Sequence, residues 1–198
     1  MIFVDIEASG VVYGRHSIVS LGAIDFENPK NRLYIECRIW EGAEINDESL
    51  AVPGFSREEV TDPTKMPEGE AVRQFLEWSQ HMADRTLAGQ NVSFDRDFLR
   101  AAAEREGLSW DMAHRTLDTH SLCWMHMVKC GIVPPIDAEH RRSALNLEAV
   151  AEYAGIPAEP EPHNALTGAM VHAEITSRLL YDKKLLPEFE QYDIPWVG

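Results

Sequence analysis

The chain has 198 residues, an apolar share of 44% and a formal net charge of -15. That length and apolar share allow one compact domain with a sizeable core and leave no room for a second. The acidity excludes a bare basic groove for nucleic acid. It leaves a small or neutral partner, or a phosphate substrate whose charge is met by bound cations.

In chain order, "IFVDIE" is rich in β-branched and aromatic residues and predicts a buried first strand. "SIVSLGAIDFE" and "RLYIECRIW" predict two more, separated by the turn-prone "NPKN", so the chain opens as a three-strand meander. "EGEAVRQFLEWSQHM" has the apolar period of an amphipathic helix. A short strand "RTLAGQN" follows, then a helix from about Phe94 that Gly107 ends. "HRTLDTHSLCWMHMVKCG" predicts a strand end running into a helix stopped by Gly131, and the proline-bearing "IVPPIDAEHRRS" predicts a loop. "NLEAVAEYAGI" is a short helix with a glycine stop, "PAEPEP" an extended linker, and "ALTGAMVHAEITSRLLYDKK" the last long helix. This order predicts an α/β fold, a mixed sheet antiparallel at one side with helices on its faces. Residues 1–180 form the single domain and 181–198 a tail. Its Phe189, Tyr192 and Trp196 either fold back on the core or form a dimer contact.

Cys37, Cys123 and Cys130 are odd in number and lack metal-type spacing, so they are expected as buried apolar fillers in a reducing cytoplasm. With no charged n-region, long apolar run or cleavage signal, neither secretion nor membrane insertion is expected.

Three stretches carry chemistry. Asp5 and Glu7 lie two apart on the first strand, so both point to one face of the sheet. A desolvated ionised pair is costly unless a cation or donor compensates it, and a hard divalent cation taking oxygen ligands does so. The plainer reading places Asp5 at a strand end in water and Glu7 at the start of a loop. In "GQNVSFDRDFL" a strand ends in Asn91 and Asp95 falls in the first turn of a helix, where the dipole favours an acid in any case. In "HNALTGAMVHAEI", His163 precedes a helix, as a base, a cap or a surface residue.

Together and in this order the three stretches resemble the DEDD exonuclease superfamily, in the histidine-using (DEDDh) subgroup of polymerase proofreading subunits, ribonuclease T and oligoribonuclease-like enzymes. Its first motif is met by Asp5, Glu7, Ala8, Ser9 and Gly10, and its second by Asn91, Phe94, Asp95, Phe98 and Leu99. The resemblance implies a ribonuclease H-like fold, two divalent cations, Mg²⁺ or Mn²⁺, and hydrolysis at the 3′ end of single-stranded DNA or RNA. It implies that Asp5, Glu7 and Asp95 hold the metals and that His163 takes a proton from the attacking water, a task suited to imidazole. Ala8, Ser9 and Gly10 would admit the terminal nucleotide, with Ser9 reading its sugar. Asn91 would brace the loop or touch substrate, and Phe94 would join the core.

The third motif departs from the family. The aspartate expected five residues after His163 is Gly168, although glycine costs a helix about 0.5–1 kcal/mol against alanine. His172, one turn on along the same stripe, is a candidate replacement ligand, and water or a substrate oxygen is another. Two functions fit: a metal-dependent 3′–5′ exonuclease with a weakened metal site, or a lapsed copy that binds nucleic-acid ends or a protein partner.

Overall fold

The computed structural model describes residues 1–197. Strands β1 (Ile2–Ala8), β2 (Ile18–Asp25) and β3 (Arg32–Glu36) form the antiparallel meander. Short helices α1 (Asp47–Ala51) and α2 (Arg57–Thr61) lead to α3 (Glu68–Ser79), β4 (Leu87–Gly89) and α4 (Ser93–Arg105). Strand β5 (Thr116–Asp118) runs into α5 (Thr119–Lys129). A two-strand hairpin, β6 (Ile136–Asp137) and β7 (Arg142–Ser143), precedes α6 (Leu147–Tyr153) and α7 (Ala165–Tyr181). The sheet order is β3-β2-β1-β4-β5, with β4 parallel to β1 and to β5. The mixed sheet expected from the sequence is therefore present, flanked by helices in a ribonuclease H-like arrangement. Two expectations are corrected. The segment 132–143 holds the small hairpin, because Ile136 and Asp137 find partners in Ser143 and Arg142. Cys130 is exposed, since it caps the end of α5 rather than facing inward, while Cys37 and Cys123 are buried.

The sheet separates two apolar layers. Ile2, Val4, Ile6 and Leu21 pack with Phe75 and Leu76 of α3 and Phe98 and Leu99 of α4. Phe3 and Ile24 pack on the other face with α5, α6 and α7. Alternation along β1 puts Phe3, Asp5 and Glu7 on the same face. The two acids thus stand on the side that α7 covers. Two glycines let α7 come this close. A β-carbon on Gly22, the residue opposite Asp5 in the antiparallel register, would overlap the backbone of Ala165 and Leu166. One on Gly168 would overlap the Asp5 carboxylate.

Helix α7 begins where Asn164 caps it, its side-chain oxygen accepting from the amides of Leu166 (3.0 Å) and Thr167 (3.3 Å). Its far end is tied down by a buried ion pair. Arg178 is 0% exposed and donates to Glu174 at 2.7 Å. Its other nitrogens donate to the carbonyls of Ala154, Asp193, Phe189 and Tyr192. The second Glu174 oxygen accepts from the Leu185 and Leu186 amides at 2.9 Å. One guanidinium thus holds the segment after α7 onto the helix. Trp196 stacks on Tyr153 and donates to Asp182, so the tail aromatics are taken up within their own chain.

Removing one partner of a buried pair leaves an uncompensated charge, so Arg178→Ala is expected to cost about 3–5 kcal/mol in urea unfolding. Arg100→Ala, which breaks a half-exposed pair with Glu104, should cost under about 1 kcal/mol. Equal losses in the two variants would contradict this account of the clamp.

Candidate active site

The C-terminal half of β1 is where the sheet gathers its acids. Asp5 and Glu7 are partly buried, and a break in the β1–β2 register between Glu7 and Ala8 turns the strand end out of the ladder. Asp95 comes from the first turn of α4 and is 3% exposed. Its Oδ1 accepts from the Ile6 amide at 3.0 Å, which pins α4 to the strand between the other two carboxylates. The structure therefore brings Asp5, Glu7 and Asp95 together.

No lysine or arginine pairs with these three acids among the described residues, and their electrostatics reflect it. Burial first, then the charges of Asp95, Glu7 and Glu159, hold Asp5 well above the usual carboxylate range. Burial, followed by Glu159, raises Glu7 to about 7. Burial also raises Asp95 to about 7, against the pull of the backbone hydrogen bonds that it accepts. As they stand, no three described His, Cys, Asp or Glu side chains converge closely enough to hold an ion. Asp5 shows why: its carboxylate takes up space beside Gly168 that a side chain there would fill. The donor set nevertheless suits a hard cation, since it offers oxygen ligands, excess negative charge and no competing basic side chain.

His163 sits at the mouth of the site, its side chain 39% exposed, and its amide donates to the Val52 carbonyl at 3.2 Å. Its Nδ1 is 3.9 Å from Oε2 of Glu159, and Glu159 acts on Asp5 and Glu7, so this acid stands between the histidine and the strand acids. Sequence reasoning treated Glu159 as part of a linker. It lies outside any periodic element, and no spacing rule marks it. His172 does not reach the cluster. It is 2% exposed, neither ring nitrogen has a hydrogen-bond partner, and it lies against Gly89. Burial pushes it down to about 4, opposed only by the Val4 backbone.

The small residues after Glu7 have a packing reason that the sequence did not reveal. Ser9 is 0% exposed, and its hydroxyl donates to the Glu44 carbonyl (2.8 Å) and accepts from the Ser17 amide (2.9 Å). It braces the loop and is not free to read a sugar, which corrects that expectation. Gly10 is needed because a β-carbon there would overlap the His16 ring. Ala8 is 8% exposed. Asn91 is exposed in the left-handed region (φ 53°), and its carbonyl accepts from the Phe94 amide, so it shapes the β4–α4 turn. With Gln90, Asp118, His120 and Arg142 it also lines a cavity of about 750 Å³ beside the acids. Phe94 packs on Phe98 at the core edge.

The profile of the family described as Exonuclease matches residues 2–176. Ribonuclease T of Haemophilus influenzae strain PittEE is 27% identical over 176 residues, covering 76% of each chain. Among solved structures, the nuclease domain of 3′hExo, a DEDDh family member bound to rAMP, superposes with a TM-score of 0.69. The two are 16% identical, and the match covers 93% of both chains. Escherichia coli exonuclease I in complex with a dA16 oligonucleotide gives 0.70 at 17% identity, over 92% of this chain and 40% of that one. With its sequence matched over most of its length and Asp5, Glu7, Asp95 and His163 in order, the chain belongs to the exonuclease family, in its DEDDh branch, with glycine at position 168 where that branch carries an acid.

Proposed function

We propose that the protein is a metal-dependent 3′–5′ exonuclease acting on single-stranded DNA or RNA in a reducing cytoplasm. The observation that carries this reading is the cluster of Asp5, Glu7 and Asp95, buried together with no basic partner. Asp5, Glu7 and Asp95 would hold two divalent cations, Mg²⁺ or Mn²⁺. When bound, such cations lower the pKa of an attacking water and stabilise the leaving oxygen.

The chain's own groups supply the remainder. His163, exposed at the mouth of the site, accepts the proton of the attacking water on a ring nitrogen. The Ile6 amide keeps Asp95 aimed at the strand acids. The cavity beside Asn91 has room for the nucleotide preceding the scissile bond, with His120 and Arg142 at its wall to meet phosphate. Arg142 already faces Asp137 at 3.5 Å, so its field is partly cancelled and the grip on the strand is weak. Gly168 favours a second reading, a lapsed enzyme that binds nucleic-acid ends or a protein partner. Turnover decides between the two.

End-labelled strands incubated with Mn²⁺ should shorten from the 3′ end by single nucleotides, stop in chelator and be protected by a blocked 3′ end. Undiminished cleavage in chelator, or internal cuts, would contradict the exonuclease reading; no cleavage at saturating Mn²⁺ would select the lapsed enzyme. His163→Ala should slow hydrolysis about 10²–10⁴-fold, the usual worth of a positioned base, while metal binding holds. A parallel loss of metal affinity would make the histidine a ligand.

Stability should also follow the acids. Glu7 has an ordinary value of 4.5 and is raised to about 7 in the fold, so its penalty is absent below the first value. It grows as pH rises through the second. His172, lowered from 6.5 to about 4, works the other way and loses stability as pH falls. Comparing the parent with Glu7→Gln, which share His172, isolates the carboxylate. In chelator the variant should melt higher at about pH 8 and equal the parent near pH 4, below the ordinary Glu value, and Mn²⁺ at pH 8 should reverse the order. Identical melting curves at pH 8 would show that the carboxylate is not strained.

A further inference from the structure

Resting on the metal-dependent reading above, we propose that Glu159, from the segment before α7, is the carboxylate ligand that takes the place left by Gly168. The acids near the site can be eliminated in turn. Glu174 spends both oxygens on Arg178 and the Leu185 and Leu186 amides. Asp118 caps α5 by accepting from the Ser121 amide, and Glu161 is exposed. His172 lies one turn deeper against Gly89, away from the carboxylates. Glu159 alone has a side chain 5% exposed and close enough for its charge to act on both Asp5 and Glu7.

The backbone holds it there. Oε1 accepts from the Asn164 amide at 3.0 Å, one residue before α7 starts. His163, between the two, is anchored through its own amide to the Val52 carbonyl. Pro157, Pro160 and Pro162 restrict the segment that carries the acid. If Glu159 served only to bind the Asn164 amide, its carboxylate would keep its free energy lowest in water. Here it is buried against two other acids and 3.9 Å from His163, too far for a hydrogen bond. A shared cation compensates such a cluster. Gly168 completes the picture from the opposite side: with no side chain at 168, Asp5 occupies that space and the additional anion arrives from the linker.

The test uses full-length protein and Mn²⁺ alone, with free ion read by electron paramagnetic resonance and folding by circular dichroism. Glu159→Gln keeps an acceptor for the Asn164 amide and removes only the charge. It should lower Mn²⁺ affinity about tenfold or more with the fold intact. Parental affinity in the folded variant overturns the proposal and leaves the metal-dependent reading standing. A parent that binds no Mn²⁺ removes both. Gly168→Asp decides the matter should Glu159→Gln fail to fold: unchanged affinity means the place is already filled, and a gain of about tenfold means that it was open and overturns the proposal.

Discussion

Carboxylates on alternate residues of a buried strand repel each other, and the structure around β1 is organised by that repulsion. Asp5 and Glu7 share the face of the sheet that also carries Phe3, so they are desolvated by the layer that builds the core beneath α7. Asp95 adds a third acid from the opposite layer, tied to the strand through the Ile6 amide. Their values rise because burial disfavours the charged form, and no basic side chain in the described residues relieves it. A strand chosen for stability alone would carry Val or Ile at these positions.

Parts of the fold far from the acids keep this arrangement in place. Gly22 lets α7 begin directly on β2, which brings His163 and Gly168 over the strand end. Arg178 fixes the other end of α7 by drawing carbonyls from the tail around one buried guanidinium. On the far side, Glu68 is 2% exposed and accepts from Ser17 and Ile18 while pairing with Arg105 at 2.6 Å. That holds the start of β2 to α3 and α4. Ser9 closes the loop between them. The polar groups nearest the acids are therefore spent on geometry, which leaves His163 and the carboxylates for chemistry.

Much of this could be read from the amino acids because it rests on local patterns. The period-two acids of "VDIE" and the Asn91 to Asp95 turn each follow from spacing, and the glycine stop after α4 is Gly107 at φ 64°. What could not be read depends on tertiary approach. Nothing local distinguishes Gly10 as the floor for His16, or Ser9 as a loop brace rather than a sugar contact. The hairpin of β6 and β7 has only two residues per strand, too short for alternation to register. Glu159 lies in a proline-bearing linker, and only the folding of that linker over the strand end brings it beside Asp5 and Glu7. His172 shows the converse: helical spacing aligned it with Gly168, but one turn of rise put it beneath the site.

The central claim is that this acid cluster exists to hold cations. Its most direct measurement is anomalous diffraction from crystals grown with Mn²⁺ near pH 8, where cations compete least with protons for the raised carboxylates. The account predicts manganese density among Asp5, Glu7 and Asp95. Density absent from that cluster, or confined to the cavity beside Asp118 and Asp137, would contradict it.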